Sequence, residues 1–174
     1  MASEGLNSLD HEARRQLHWS SRDWFEQGCR WLEEERLADA TEAFRLALMD
    51  EPANPELHFH LAEALYREGN LAGAFERLHI AVELDQQYLE AWTQLGCVAA
   101  ELGQTQSALD AFDIALQSHA DYPDAHFHKA ELLHRLNRDS EAAPHWQAYL
   151  NHDQRGPWAD IARQRTEEPT SQPQ

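Results

Sequence analysis

The chain has 174 residues, enough for one domain with a sizeable core. Its 31 Asp and Glu against 14 Lys and Arg give a formal charge of −17 at pH 7. With no basic cluster to neutralise phosphates, that balance argues against direct binding of DNA, RNA or an anionic membrane surface. Met1 to Asp10 lack the apolar core of a secretory leader and no stretch approaches membrane-spanning length, so the expected setting is the cytoplasm.

Residues 1–20 read as an extension, with Met1–Ser8 expected to be mobile and Leu9–Trp19 carrying a short helical pattern. From Ser21 a 34-residue period begins, in blocks 21–54, 55–88, 89–122 and 123–156. The eighth position is small throughout (Gly28, Ala62, Gly96, Ala130), and the twentieth is Ala40, Ala74, Ala108 and Ala142. The twenty-fourth is large (Phe44, Leu78, Phe112, Trp146), and the twenty-seventh is Ala47, Ala81, Ala115 and Tyr149. Each block predicts two amphipathic helices: in the second, Leu57, Leu61, Ala64 and Leu65 form one stripe, and Ala74, Leu78, Ala81 and Val82 another.

Between the two helices of a block, the fifteenth position carries Gly69, Gly103 and Asn137, residues that tolerate the left-handed conformation ending a helix. Glu35 occupies it in the first block, so that turn is the least well specified. Pro52, Pro55 and Pro123 stop one helix or open the next. The small residues suit close helix crossings into which a neighbour's Phe, Leu or Trp inserts. Pro144, early in the eighth helix, predicts a late start or a bend. Gly156-Pro157-Trp158 opens a further helix over 157–166 that caps the last repeat, and 167–174 reads as a disordered tail.

Cys29 and Cys97 lie two periods apart, at the ninth position of their blocks. Helices packed about 8–10 Å apart would separate them by roughly 20 Å. A disulfide needs Cα atoms within about 7 Å, so two free thiols are expected.

A period of this length with these residues resembles the tetratricopeptide repeat. The first block matches its signature at Trp24, Gly28, Trp31, Ala40, Phe44, Ala47 and Pro52, and the third at Trp92, Leu95, Gly96, Ala108, Phe112 and Ala115. Departures are His58 and His126 at the Trp position, Lys129 at the Leu position, and Gln86, Ala120 and Gln154 where Pro is usual. The resemblance implies an all-α, right-handed superhelix (an α-solenoid) of four helix-turn-helix repeats with a C-terminal capping helix. It further implies a concave groove lined by the first helix of each repeat. A second resemblance, carried by Tyr88–Cys97 and by His145-Trp146 through Trp158-Ala159, is to the repeat half of some bacterial MerR-type transcription regulators. Their winged-helix DNA-binding domain has no counterpart in this sequence, so only a regulatory role is implied by it.

In the family the groove is lined by positions 2, 5, 6, 9, 12 and 13 of each block. The second block places Glu56, Phe59, His60, Glu63, Tyr66 and Arg67 there, and the fourth places Asp124, Phe127, His128, Glu131, His134 and Arg135. Phe25 and Cys29 in the first block and Cys97 in the third complete the candidate partner-binding set. Groove chemistry thus repeats every 68 residues, alternating Cys-bearing with Phe-His-Glu-Arg-bearing helices. Glu56-His60-Glu63 and Asp124-His128-Glu131 share helix faces, but single-His sets without a His pair give no metal expectation. His58 and His126 read as packing residues. No catalytic constellation, phosphate loop or nucleophile elbow is present and no cofactor is expected, so no enzyme is predicted. The groove lacks the Lys and Asn with which some family members grip a C-terminal carboxylate.

The sequence therefore predicts a non-catalytic module that binds a basic and apolar protein segment in its groove. The alternatives are a regulatory module acting with a DNA-binding regulator, and a metal or small-ligand sensor.

Overall fold

Four times along the chain a backbone N–H reaches back five residues, across a left-handed residue, to close off a helix. The bonds are Arg36 N to Trp31 O, Asn70 N to Leu65 O and Gln104 N to Ala99 O, each 2.8 Å, and Arg138 N to Leu133 O, 2.9 Å. The residues crossed are Glu35 (φ 60°), Gly69 (81°), Gly103 (75°) and Asn137 (57°). This is the Schellman arrangement, which satisfies carbonyls left open at a helix end. Glu35 adopts the same backbone as the glycines, so the first turn is as regular as the others.

In the computed structural model, residues 19–167 are described. The described residues form nine α-helices and no strand: α1 Ser21–Glu33, α2 Leu37–Asp50, α3 Pro55–Arg67, α4 Leu71–Leu84, α5 Leu89–Glu101, α6 Thr105–Ser118, α7 Pro123–Arg135, α8 Asp139–His152 and α9 Pro157–Glu167. The pattern expected over Leu9–His18, the mobility expected for Met1–Ser8 and nearly all of the expected tail lie outside the described residues. Trp19 is not helical; its ring meets Trp24 edge-on at 4.5 Å.

The starts are capped by recognisable chemistry. Ser20 and Asp23 form a reciprocal capping box on α1, with Ser20 N to Asp23 Oδ2 at 2.8 Å. Asn54 Oδ1 accepts from Glu56 N and Leu57 N at the start of α3, and Asn70 Oδ1 accepts from Gly73 N in α4. Pro55, Pro123 and Pro157 are the first residues of α3, α7 and α9, where a missing N–H costs nothing. Pro144 lies inside α8, which begins at Asp139, in step with Leu37, Leu71 and Thr105. The expected late start does not occur: the ring is exposed and a single intrahelical bond is forgone.

The chain divides into two units between Ala91 and Trp92. In the first, α1 packs on α2, α3 on α4, and α2 against α3. In the second, α6 packs against α7, α7 on α8 and α8 on α9. Trp24, Phe44, Leu57, Leu61 and Leu78 fill the first core; Phe112, Leu133 and Trp146 are among the side chains filling the second.

The two histidines that replace Trp clamp loops. His58 is buried, and its Nε2 donates to the Pro52 carbonyl at 3.0 Å. His126 Nε2 donates to the Ala120 carbonyl at 2.9 Å, one bond in each of two corresponding loops. A carbonyl can only accept, so both rings carry hydrogen on Nε2.

Candidate interaction surface

In the first unit, α1 and α3 bring together most of the residues expected to meet a partner. Phe25 of α1 is half-buried, 5.2 Å from the His60 ring and 6.1 Å from Phe44. Phe59 lies edge-on to His60 at 5.4 Å. Around this aromatic patch stand the carboxylates. His60 Nδ1 is 3.5 Å from Glu63 Oε2, and that contact leads in holding the Glu63 carboxyl below its ordinary value against the opposing effect of burial. Burial, with Glu56, Glu63 and Glu33, pushes the Cys29 thiol up. The face is acidic and aromatic, open enough for Phe25, Phe59, His60 and Glu63 all to keep partial exposure.

Tyr88 belongs to the same patch, although it stands outside the six groove positions. Its ring is 5.1 Å from Phe59, and burial together with Glu56, Glu90, Asp85 and Glu63 drives its hydroxyl up to about 12. Tyr88 and Tyr122 share the thirty-fourth position of their blocks, a recurrence in the sequence that could have marked it. Tyr66 is half-buried on α3, and Glu56 is exposed in its first turn. Arg67 is committed within the repeat array: it ion-pairs with Glu35 of the preceding turn and lies 3.9 Å from Glu63. Thr41 Oγ1 to Glu68, at 3.0 Å, adds a second tie between the repeats.

In the second unit the equivalent residues behave differently. Phe127 is only 6% exposed, stacked on Trp158 of α9 and edge-on to Trp146 and Tyr149. It anchors α9 and is covered, whereas Phe59 keeps partial exposure. His128 stacks on Phe112 and meets Trp158 edge-on; burial pushes its pKa down, and Asp124 and Glu131 offset this only in part. One Glu131 carboxylate oxygen is buried without a hydrogen bond among the described residues. His134 Nδ1 pairs with Asp139 at 2.6 Å. Arg135 is exposed: where Arg67 finds Glu35, the corresponding residue is Gly103.

Both cysteines are free thiols. Burial, then Glu101 and Asp124, pushes Cys97 up to about 12. A thiol so placed is a poor nucleophile. Native Cys97 should therefore be alkylated by iodoacetamide at pH 7.5 at least about a hundred-fold more slowly than in urea, with Cys29 intermediate. Peptide mass spectrometry of a time course measures both sites; equal rates for Cys97 in native and unfolded protein would contradict the burial. Among the described residues, no three His, Cys, Asp or Glu side chains form a group that could hold a metal ion.

Two models of the tetratricopeptide repeat match consecutive stretches of the chain, residues 32–95 and 93–157. The chain is a tetratricopeptide-repeat protein. It is 31% identical over 103 residues to the TPR repeat-containing protein YvcD of Bacillus subtilis (strain 168). That alignment covers 59% of this chain and 21% of the relative, so the chain matches about a fifth of that protein's length. Among solved structures, it resembles a chain of the APC/C hetero-tetramer Cut9-Hcn1 with a TM-score of 0.76, at 16% identity over 86% of this chain and 30% of the other. It also resembles YrrB, described as a TPR protein with an unusual peptide-binding site, with a TM-score of 0.72, at 21% identity over 83% of this chain and 74% of that one. At these identities the likeness concerns the fold, the all-α helical repeat. Tetratricopeptide repeats are generally non-catalytic scaffolds for protein contacts. No helix among the described residues is long and apolar enough to cross a membrane.

Proposed function

We propose that the protein binds a segment of a partner protein on the acidic, aromatic face that α1 and α3 present in the first unit. The segment carries Arg or Lys together with an apolar anchor. One observation carries this reading: Phe25, Phe59 and His60 form a half-exposed aromatic patch bordered by Glu33, Glu56 and Glu63, and most of the charge on this chain is of the same sign. Aromatics supply contact area that can be desolvated, and the carboxylates set the encounter rate and reject acidic partners. The peptide-binding site named for YrrB supports the class of ligand. The second unit's face is the poorer candidate, because its matching phenylalanine is covered by α9.

Selection of a displayed random-peptide library on the full chain tests the proposal. Enriched peptides should combine Arg or Lys with a large apolar residue and should associate faster at low than at high salt. Phe59→Ala should weaken the best of them about ten-fold or more, with thermal unfolding followed to separate lost contact from lost fold. Acidic peptides, dependence on a free C-terminal carboxylate, or undiminished binding by a folded Phe59→Ala variant would overturn it.

A further inference from the structure

The second unit contains a pocket that the face of α1 and α3 does not involve. It has a volume of about 380 Å³ and is built from helix ends: Pro123 and Asp124 at the start of α7, Tyr149 and Asp153 at the end of α8, and Pro157 and Trp158 at the start of α9. Arg155, in the connection between α8 and α9, completes the lining. A cavity of this size holds one large side chain or a small ligand.

Its chemistry is specific in three respects. Trp158 is 42% exposed although one ring face stacks on Phe127, with centroids 4.6 Å apart and planes 17° apart. The opposite face is therefore the one available to a ligand. Asp153 accepts hydrogen bonds from the Tyr149 hydroxyl and the Arg155 N–H, both at 3.0 Å, which leaves carboxylate lone pairs unused. Asp124 makes no hydrogen bond or ion pair among the described residues. The fields of both carboxylates reach one point: with burial as the main cause, they drive the Tyr149 hydroxyl up to about 12.

An indole face beside two carboxylates selects among ligand classes. An anion would meet Asp124 and Asp153, which outweigh the attraction of two helix N-termini and Arg155. A neutral apolar group would desolvate the carboxylates without compensation. A guanidinium can stack on the indole while its N–H groups bind a carboxylate, and it loses less hydration than an ammonium. We propose that this pocket receives an arginine side chain presented by a protein partner, its guanidinium lying between the open face of Trp158 and the carboxylates of Asp124 and Asp153. Arg155 is then the internal competitor, the one cation among the lining residues. This site stands independently of the first unit's face, although both favour a basic partner.

The experiment uses the full chain with its tryptophan indoles labelled by ¹⁵N, the Trp158 resonance being assigned from Trp158→Phe. The probe is a blocked tripeptide, acetyl-Gly-Arg-Gly-amide, compared with the same peptide carrying citrulline (the neutral isostere) and with one carrying Glu. The arginine peptide should shift the Trp158 indole saturably at millimolar concentrations, and the citrulline and Glu peptides should not. Asp124→Asn should weaken the arginine peptide about three-fold or more, and Trp158→Leu, which keeps an apolar cover on Phe127, should do the same. Arg155→Gln should strengthen it. Equal shifts from citrulline, stronger binding of the Glu peptide, or no saturable shift at Trp158 would each overturn the proposal. Arginine-specific shifts confined to Trp24 and Trp31 would also overturn this site while leaving the reading of the first unit in place.

Discussion

Replacing Gly96 by Ala is expected to destabilise the protein by about 1–2 kcal/mol, although alanine is the better helix former by about 1 kcal/mol. A Cβ at Gly96 would stand 2.5 Å from Cε1 and 2.7 Å from Cδ1 and Cζ of Phe112. Phe112 is 1% exposed, so its ring cannot step aside without displacing other packed groups. Removing the ring is worse: Phe112→Ala should cost about 3–5 kcal/mol through lost burial and an unfilled cavity. The double variant Gly96→Ala/Phe112→Leu is expected to lose less than the sum of its parts, with a favourable coupling of about 1 kcal/mol, because leucine lacks the colliding ring. The chain contains this combination already, as Ala62 with Leu78 at the corresponding positions of the second repeat. Urea melts with unchanged slope would measure these variants together with Phe112→Leu alone, which completes the cycle. A Gly96→Ala variant more stable than the parent would show that α5 and α6 approach each other less closely than these distances require.

That pair shows why the repeat was legible from sequence. Position eight is small and position twenty-four large in every repeat, so packing imprints itself at a fixed spacing. The first turn was less legible because Glu35 is not a residue that marks a left-handed backbone. Its conformation is held by neighbours: the Arg36 N–H on Trp31, the Arg36 guanidinium 5.0 Å over the Trp31 ring and bonded to Asp39, and the Arg67–Glu35 ion pair. No local pattern announces such a set.

That Phe25, Phe59 and His60 share a face was legible from their positions in the repeat; that Phe127 is covered was not. Phe59 and Phe127 occupy the same position on equivalent helices, but the side chains packed against them differ. Tyr88 leaves Phe59 half-exposed, whereas the first turn of α9 lays Trp158 flat on Phe127. Arg67 and Arg135 diverge for a reason one repeat upstream, Glu35 against Gly103. A 68-residue likeness between side chains is therefore a statement about helix positions; exposure is decided by the neighbouring element. The same holds at the twenty-third position, where His58 lies in the field of Arg77 while His126 meets a second histidine, His145.

That last contact gives an acid-sensitive joint between α7 and α8. His126 Nδ1 and His145 Nδ1 are 2.8 Å apart. Because His126 donates to Ala120 through Nε2, its neutral ring offers Nδ1 as an acceptor, and His145 must supply the shared hydrogen. Protonating both rings would set two donors and two charges face to face, beside Lys129 and its partner Asp113. Burial first, then Lys129 and His126, lowers the His145 pKa to about 4, with Asp113 opposing. A histidine lowered in the folded state contributes stability that is complete above about pH 6.5, where the unfolded ring is also neutral. It is lost as pH falls from there, because only the unfolded chain takes up the proton, until the folded ring titrates near 4. The full shift sets a limit of about 3 kcal/mol, and partial exposure of the ring reduces the expected loss to about 1–2 kcal/mol. His58 and His128, also lowered mainly by burial, add to it in the same direction. Relief of the chain's negative self-repulsion acts oppositely, so the comparison must cancel it. His145→Asn does so: its amide nitrogen can occupy the place of Nδ1–H and donate to His126 without titrating. In about 0.15 M salt, where surface charges are screened beyond about 8 Å, the stability advantage of wild type over His145→Asn should shrink between pH 6.5 and 4.5 by about 1–2 kcal/mol. A constant difference across that range would mean that His145 takes up its proton as readily folded as unfolded.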